Sequence, residues 1–162
     1  MEGVFLLLGS NLGNREEILN QAIAALEKKG VTLVSKSSVY ETAAWGKTDQ
    51  QAFLNQVLQV KTEYSPKKLL GVIQQIELEL GRVRKVKWGE RLIDIDILYY
   101  HDQVINQAGL AVPHPGIPER RFTLIPLVEI CPDFIHPVFQ LDQKQLLEKC
   151  QDHLEVSIFG YF

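Results

Sequence analysis

The stretch "LIDIDILYY", residues 92–100, decides the fold because it combines a buried strand with two carboxylates. Side chains alternate between the two faces of a β-strand, so the stretch predicts one apolar face and one acidic face. The apolar face is predicted to carry Ile93, Ile95, Ile97 and Tyr99. Asp94 and Asp96 are predicted to share the other face, about 7 Å apart along the strand.

The residues themselves leave two interpretations of this acid pair open. Two neighbouring carboxylates repel each other, so they either lie on a solvated face or pair with nearby arginines. Alternatively they bind Mg²⁺, which takes one or two carboxylates and completes its shell with water and phosphate oxygens. The basic segment 82–91 directly precedes the pair, and cations beside metal-binding carboxylates are typical of phosphoryl transfer. Neither a P-loop nor a kinase glycine-loop signature is present.

The elements on either side of this strand predict the rest of the fold. Apolar periodicity and helix-start signals give the order β-α-β-β-α-β, ending on the acidic strand. This order predicts an α+β, ferredoxin-like βαββαβ core, with helices packed on one face of a mainly antiparallel sheet. The predicted strands before the acidic one are residues 3–10, 32–40 and 53–61, and the predicted helices are residues 14–30 and 65–81.

Two capping signals and a C-terminal extension complete this prediction. Asn14 is predicted to cap the first helix, and Ser65 followed by Pro66 is predicted to begin the second. A C-terminal extension starts near residue 102. Within it we expect helices at residues 124–130 and 141–150 and a final strand at residues 154–159.

Bulk composition places the chain in a broad class. A length of 162 residues predicts one domain over residues 1–162, with a substantial core. The start lacks a basic signal-peptide region and the longest apolar run is far short of a membrane span, so a cytoplasmic protein without a membrane partner is expected. Cys131 and Cys150 form no CxxC pair and are expected to be free thiols. The net charge of −3 argues against a dedicated nucleic-acid binder.

Four stretches, taken together and in this order, resemble one known family. They are "GSNLGNR" at 9–15, "ETAAWGKTDQQAFLNQV" at 41–57, "ELGRVRKVKWGERLIDIDIL" at 79–98 and "VPHPGIPERRF" at 112–122. They resemble the 6-hydroxymethyl-7,8-dihydropterin pyrophosphokinases. This resemblance implies a ferredoxin-like core and transfer of the terminal diphosphate of ATP to the hydroxymethyl group of the pterin, in folate biosynthesis. It also implies two Mg²⁺ ions as cofactor, with ATP as co-substrate.

The resemblance implies roles for the residues at the ATP end. Asp94 and Asp96 match the two metal-binding aspartates, and Arg82 and Arg91 match arginines that engage the transferring phosphates. Further ATP-binding positions are matched by Gln74, Glu77, Arg84, Trp88, His114 and Arg120. Without the resemblance, Gln74 and Glu77 would be predicted as surface residues of the second helix, and His114 as a loop residue.

The resemblance also implies a pterin site. Its residues are Gly9, Thr42, Ala43, Trp45, Phe53, Asn55 and Phe122. A flat, polar heterocycle needs aromatic faces above and below it, and amide groups at its edge. Phe53 and Phe122 are the stacking candidates, and strand alternation places Asn55 on the same face as Phe53. Either phenylalanine would otherwise be predicted as a core residue.

Two other functions are compatible with this type of sheet. A nucleic-acid-binding module would use the same βαββαβ arrangement, but the aromatic RNP pattern is missing and the chain is net acidic. A non-catalytic regulator would bind nucleotide or pterin without turnover, but the acid pair and the arginines are both present. We therefore expect an enzyme that acts as a monomer or weak homodimer.

Overall fold

The computed structural model describes residues 2–42, 52–81 and 92–160. Within them, six strands form one antiparallel sheet and two short strands form a hairpin. The sheet strands are β1 (Val4–Ser10), β2 (Thr32–Lys36), β3 (Val39–Thr42), β4 (Phe53–Lys61), β5 (Asp94–Tyr100) and β8 (Val156–Gly160). The hairpin strands are β6 (Ile105–Gln107) and β7 (Leu110–Val112).

The described α-helices are α1 (Arg15–Lys28), α2 (Pro66–Glu79), α3 (Arg121–Ile130) and α4 (Gln143–Lys149). Two of them, α1 and α2, begin where the sequence predicts capping residues. The Asn14 side chain accepts a hydrogen bond from the Glu17 amide, and the Ser65 hydroxyl accepts one from the Lys68 amide, both at 3.2 Å. Over the described ranges, none of these helices combines the length and the apolarity needed to cross a membrane.

The sheet confirms the predicted ferredoxin-like α+β class. Its strand order is β5-β1-β4-β3-β8, with β2 also paired to β4, so β1 lies between β5 and β4. The helices α1 and α2 pack on one face of the sheet, as predicted, and close a first apolar core. Its members include Leu6, Leu8, Leu26, Leu58, Ile73 and Ile95.

The C-terminal extension covers the opposite face of the sheet. Leu124 and Leu127 of α3 and Leu146 of α4 pack there in a second apolar core. The sheet contributes side chains that point away from α1 and α2, among them Leu7 and Val57. The sheet therefore lies between two helical layers.

One predicted strand is two strands in the structure. The residues predicted as a single strand at 32–40 form β2 and β3, which both pair with β4. Ser37 lies between them, and its hydroxyl accepts the hydrogen bond of the Val57 amide at 2.9 Å. A serine side chain here replaces a backbone acceptor, so the regular ladder is interrupted. The predicted helix at 141–150 is also shorter, because Asp142 caps α4 through a capping box with Gln145.

A bulge overturns one prediction about β5. Ile97 pairs with Leu6 of β1, but Tyr99 pairs with Phe5, so Leu98 is an extra residue on β5. An extra residue shifts the alternation of every side chain that follows it. Tyr99 therefore lies in the second core, and the prediction that it shares the face of Ile97 is wrong.

A buried polar network joins β5 to α4 and leads to a prediction about stability. The Gln143 amide nitrogen donates to the Tyr99 hydroxyl and to the Phe134 carbonyl, each at 2.9 Å. Replacing Gln143 by leucine removes both donors, and we expect the free energy of unfolding to fall by about 3 kcal/mol. Urea unfolding measures this change. The exposed Gln151→Leu is the matched control, and an equal loss in both variants would contradict the prediction.

A second prediction concerns pH and His136, which is 3% exposed. Burial lowers the pKa of His136 below the ordinary 6.5, and its Nδ1 accepts hydrogen bonds from the Val138 and Phe139 amides. The unfolded chain therefore binds a proton at a higher pH than the folded chain does. The contribution of His136 to the free energy of unfolding is fully present above about pH 6.5. It is lost as the pH falls below about 6.5 toward the lowered pKa of the folded chain.

His136→Asn keeps an acceptor oxygen but cannot titrate. We expect its unfolding free energy to fall less between pH 7.5 and pH 5 than that of the unmodified protein. Urea unfolding at several pH values provides the comparison, with the exposed His153→Asn as the control. A profile for His136→Asn that matches the unmodified protein would exclude this histidine as the cause.

Candidate active site

One end of the sheet brings most of the described candidate residues together. There β1 and β3 end while β4 and β5 begin. Gly9 of β1 lies directly between two partners, Asn55 of β4 on one side and Asp94 of β5 on the other. Thr42 of β3 lies opposite Phe53 of β4 in the same region. Asp94, Gly9 and Asn55, which are far apart in the sequence, thus form one row across β5, β1 and β4, and the Thr42–Phe53 pair lies two residues from it.

The acid pair lies on the face of the sheet that carries the second core. Asp96 pairs with Leu7, and directly paired residues of an antiparallel ladder project from the same face. Ile95 points the opposite way, into the first core. Both aspartates are partly exposed. The predicted alternation is therefore confirmed from Ile93 to Ile97, and both aspartates lie on one face of β5, near the end of the sheet where β5 begins.

This pair has the donor chemistry that Mg²⁺ requires. Within the ranges that the structure describes, no three His, Cys, Asp or Glu side chains group closely enough to hold a metal ion on their own. A magnesium site needs only one or two carboxylates when phosphate and water supply the remaining oxygens. Asp94 and Asp96 fit that kind of site and do not fit a closed protein-only site.

His114 lies near this pair, in the segment between β7 and α3. Its amide donates to the Leu98 carbonyl at 2.9 Å, which holds the segment against the far end of β5. Its Nδ1 accepts from the Gly116 amide at 2.9 Å, so Nε2 carries the proton of the neutral ring. Burial lowers the pKa of His114, Asp96 raises it and Arg120 lowers it. The ring is therefore close enough to both charged groups to interact with them.

Arg120 and Phe122 enter this region from the start of α3. Arg120 is exposed, and its guanidinium carbon lies 5.8 Å from the centre of the Phe122 ring. Phe122 is partly buried against the second core and lies in the first turn of α3. The sequence predicted a helix only from residue 124, so the longer α3 is what fixes Phe122 on a rigid element.

The middle of the row is a polar notch. Asn55 is 5% exposed, and its Nδ2 donates to the Leu8 carbonyl at 3.3 Å. A Cβ on Gly9 would lie only 2.8 Å from that Nδ2, so glycine gives the amide room to lie over β1. The buried Thr42 hydroxyl has no hydrogen-bond partner among the described residues. An amide and a hydroxyl are thus set beside the half-exposed Phe53 ring.

The two candidates on α2 differ in their surroundings. Gln74 is exposed, as a surface residue would be. Glu77 is 6% exposed, and its Oε2 accepts from the Ile95 amide at 2.9 Å, between the two aspartates. The expectation of a surface residue is wrong for Glu77. Its spacing of four from Ile73 places it within the apolar stripe of α2, so helical periodicity could have predicted its burial.

Six of the candidate residues lie outside the described residues. They are Ala43, Trp45, Arg82, Arg84, Trp88 and Arg91. The sequence did not predict Tyr40 as part of the site. Tyr40 lies opposite Asn55, and its hydroxyl donates to Glu129 of α3 at 2.7 Å. Its spacing of two from Thr42 on a strand would have placed both on one face.

These features define a class of protein. It is an α+β protein of the ferredoxin-like type, with two carboxylates suited to a divalent cation at one end of the sheet and a notch there lined by an amide and an aromatic ring. A sequence model described as 7,8-dihydro-6-hydroxymethylpterin-pyrophosphokinase (HPPK) matches residues 5–132. The chain belongs to this family.

Individual relatives agree with this membership. The chain is 48% identical over 128 residues to a 2-amino-4-hydroxy-6-hydroxymethyldihydropteridine pyrophosphokinase of Bacillus subtilis, covering 78% of this chain and 77% of that protein. A relative of the same name from Aquifex aeolicus is 46% identical over 90% of each chain. The folic acid synthesis protein fol1 of Pneumocystis carinii is 43% identical over 94% of this chain, which spans only 20% of that protein.

Solved structures show the fold. An HPPK-DHPS of Plasmodium falciparum with pteroate superposes with a TM-score of 0.72 at 17% identity. It covers 91% of this chain, which spans 43% of that chain. At this level of identity the likeness concerns the arrangement of the sheet and helices, and it agrees with the ferredoxin-like class.

Proposed function

We propose that this chain transfers the diphosphate of ATP to the hydroxymethyl oxygen of 6-hydroxymethyl-7,8-dihydropterin and releases AMP, in folate biosynthesis. The names of the Bacillus subtilis and Aquifex aeolicus relatives support this activity. The observation that carries the proposal is the row of Asp94, Gly9 and Asn55, which sets the metal candidates beside the polar notch. The alternative of a nucleic-acid-binding module is not favoured.

In this proposal Asp94 and Asp96 are the residues that would hold two Mg²⁺ ions beside the bound triphosphate. When bound, Mg²⁺ would supply positive charge that offsets the negative charge of the phosphate oxygens. Arg82 and Arg91 contribute the planar guanidinium groups that grip phosphate oxygens bidentately. The described part of this arrangement is the acid pair on one face of β5, next to the His114 segment.

The remaining ATP contacts are assigned to Gln74, Arg84, Trp88, His114 and Arg120. His114 and Arg120 interact electrostatically with each other, and His114 interacts with Asp96, which supports their assignment as a ring N–H donor and a cation for phosphate oxygens. Glu77 acts differently in this proposal. Its carboxylate accepts the hydrogen bond of the Ile95 amide and so fixes the backbone between Asp94 and Asp96. Glu77 would therefore orient the two aspartates through the backbone of β5.

The pterin is assigned to the notch at the middle of the row. Phe53 and Phe122 stack on the ring, and Ala43 and Trp45 belong to the segment that leads from β3 to β4. The Asn55 amide and the Thr42 hydroxyl are the groups assigned to the polar edge of the ring, and Gly9 leaves the space in which the Asn55 amide lies. The proposal requires the bound ring to direct its hydroxymethyl group along the row toward Asp94.

The chemistry is an in-line displacement at the β-phosphorus. The hydroxymethyl oxygen loses its proton to water and forms the new bond to the β-phosphorus. The bond between the β-phosphorus and the α,β-bridging oxygen breaks, and AMP leaves with the bridging oxygen. Holding the two reactants in this geometry and balancing the developing charge supply most of the rate. His114 Nδ1 already accepts a backbone hydrogen bond, so this atom is not offered as the base.

The direct test is to incubate the protein with ATP, Mg²⁺ and the reduced hydroxymethylpterin. We expect AMP and a diphosphorylated pterin in equal amounts, and neither product when the pterin is omitted. Formation of ADP with a singly phosphorylated pterin would contradict diphosphate transfer. Binding without any product would instead favour a non-catalytic pterin or nucleotide binder.

The proposal also covers organisation and location. One domain, residues 1–162, is proposed to carry the whole activity, as a monomer or weak homodimer in the cytoplasm. Both cysteines are free thiols, in keeping with a reducing compartment. Analytical ultracentrifugation at micromolar and millimolar concentrations tests the oligomeric state.

A further inference from the structure

Asp152 binds the start of α3 from a distant part of the chain. The helix begins after Arg120, which provides no side-chain cap. The Asp152 Oδ2 instead accepts from the Arg121 amide at 3.0 Å, across 31 residues of sequence. Its Oδ1 accepts from the Leu154 amide, also at 3.0 Å. One carboxylate therefore holds both the first turn of α3 and the chain that leads into β8.

The strand that follows Asp152 continues to the other side of the notch. Within β8, Val156 pairs with Thr42 of β3, and Thr42 in turn pairs with Phe53 of β4. Residues 152–160 thus connect the element that carries Phe122 to the strand that carries Thr42. We call this stretch the C-terminal strap.

The strap lies beyond residue 132, where the match to the family model ends. Its contacts are nevertheless made to elements inside the matched stretch, namely α3 and β3. The first turn of α3 has free amide groups that need acceptors, and a carboxylate satisfies them while opposing the helix dipole. This chain obtains that acceptor from outside the residues 5–132 that the family model matches.

We propose that Asp152 is a positioning residue for the pterin, an assignment that rests on the proposed function. By holding the Arg121 amide, Asp152 fixes the backbone next to Phe122. By holding the Leu154 amide, it fixes the start of the C-terminal strap, in which Val156 pairs with Thr42. Asp152 touches neither substrate. Instead it keeps constant the distance between the Phe122 ring and the Thr42–Phe53 pair. That distance sets the width of the notch.

The effect should fall on the pterin much more than on ATP. Phe122 is short, partly buried and packed on the second core, so its ring moves with the backbone of α3. Arg120 is long and exposed, and its side chain can recover its position after a small backbone shift. A selective loss of pterin affinity therefore separates positioning from general destabilisation.

The test measures steady-state kinetics of Asp152→Ala and Asp152→Asn with the reduced hydroxymethylpterin and ATP. For Asp152→Ala we expect the KM for the pterin to rise about tenfold, with kcat and the KM for ATP within about twofold. Asp152→Asn keeps one acceptor oxygen, so its KM for the pterin should lie between those of the unmodified protein and Asp152→Ala. The control is Asp133→Ala, whose carboxylate makes only the exposed contact to Lys144 among the described residues and should not change the kinetics.

Two results would overturn the proposal: a KM for the pterin within twofold of the unmodified protein, or equal increases in both KM values. If Asp152→Ala does not fold, Asp152→Asn is measured in its place, and a three- to fivefold rise of its KM for the pterin would support the proposal. Hydrogen exchange at the Arg121 amide, faster in Asp152→Ala, reports the contact without any substrate. If the unmodified protein forms no AMP, the proposed function has failed, while the exchange measurement still decides whether Asp152 holds α3.

Discussion

Replacing Asp96 by asparagine is expected to lower kcat for AMP formation by on the order of 10³-fold. The substitution keeps the size and shape of the side chain and removes one of the two negative charges at the start of β5. A neutral amide is a poor ligand for Mg²⁺, so the charge on the transferring phosphates would no longer be balanced. The measurement is Mg²⁺-dependent AMP production at saturating ATP and pterin, with the Mg²⁺ concentration varied.

The matched control is Asp102→Asn. Asp102 is an exposed aspartate two residues after β5, so it tests the loss of a carboxylate close in sequence but away from the row. We expect normal kcat and normal Mg²⁺ dependence in this variant. Circular dichroism and a cooperative unfolding transition should be retained in both. Turnover of Asp96→Asn within tenfold of the unmodified protein would remove Asp96 from the metal site.

Replacing Gly9 by alanine is expected to weaken pterin binding by about 10- to 100-fold, equivalent to about 1.4–2.7 kcal/mol. The new Cβ would lie 2.8 Å from the Asn55 Nδ2, and that amide is buried and bonded to the Leu8 carbonyl. The methyl group therefore displaces the amide from the notch. Isothermal calorimetry with the reduced hydroxymethylpterin and, separately, with Mg²⁺-ATP measures the two affinities.

ATP affinity should change little in Gly9→Ala, because Asp94, Asp96 and His114, among the described nucleotide candidates, lie on or against β5. Gly71→Ala is the matched control for the substitution itself. Gly71 lies in the interior of α2 with no atom within 4 Å of an added Cβ, so alanine there should stabilise the helix and leave binding unchanged. Unchanged pterin affinity in Gly9→Ala would show that the amide can move aside at no cost.

The sequence predicted much of this architecture from local signals. Capping residues located the starts of α1 and α2, because a side-chain acceptor at a helix start acts within three residues. Alternation placed the two aspartates of β5 on one face and Ile93, Ile95 and Ile97 on the other. The family motifs then proposed a role for each polar residue. All of these inferences depend on spacing along the chain.

Three features could not be predicted in this way. The Leu98 bulge moves Tyr99 into the second core, and it depends on how β5 meets β1. Helical spacing could have predicted that Glu77 is buried, but not that it accepts from the Ile95 amide, which belongs to another element. Asp152 caps a helix that begins 31 residues earlier. Each is a partnership between distant segments, and no local pattern identifies the partner.

The sequence by itself determined which residues have the chemistry for metal, phosphate and a flat heterocycle, since side-chain identity and strand or helix period are local properties. Only the tertiary structure decided that Asp94, Gly9 and Asn55 form one row. Only it decided that the start of α3 is held by a carboxylate from the C-terminal strap. The hydrogen-bond register of the strands sets the row, and the path of the C-terminal strap sets the contact with α3. Both arise only when the strands and helices pack together.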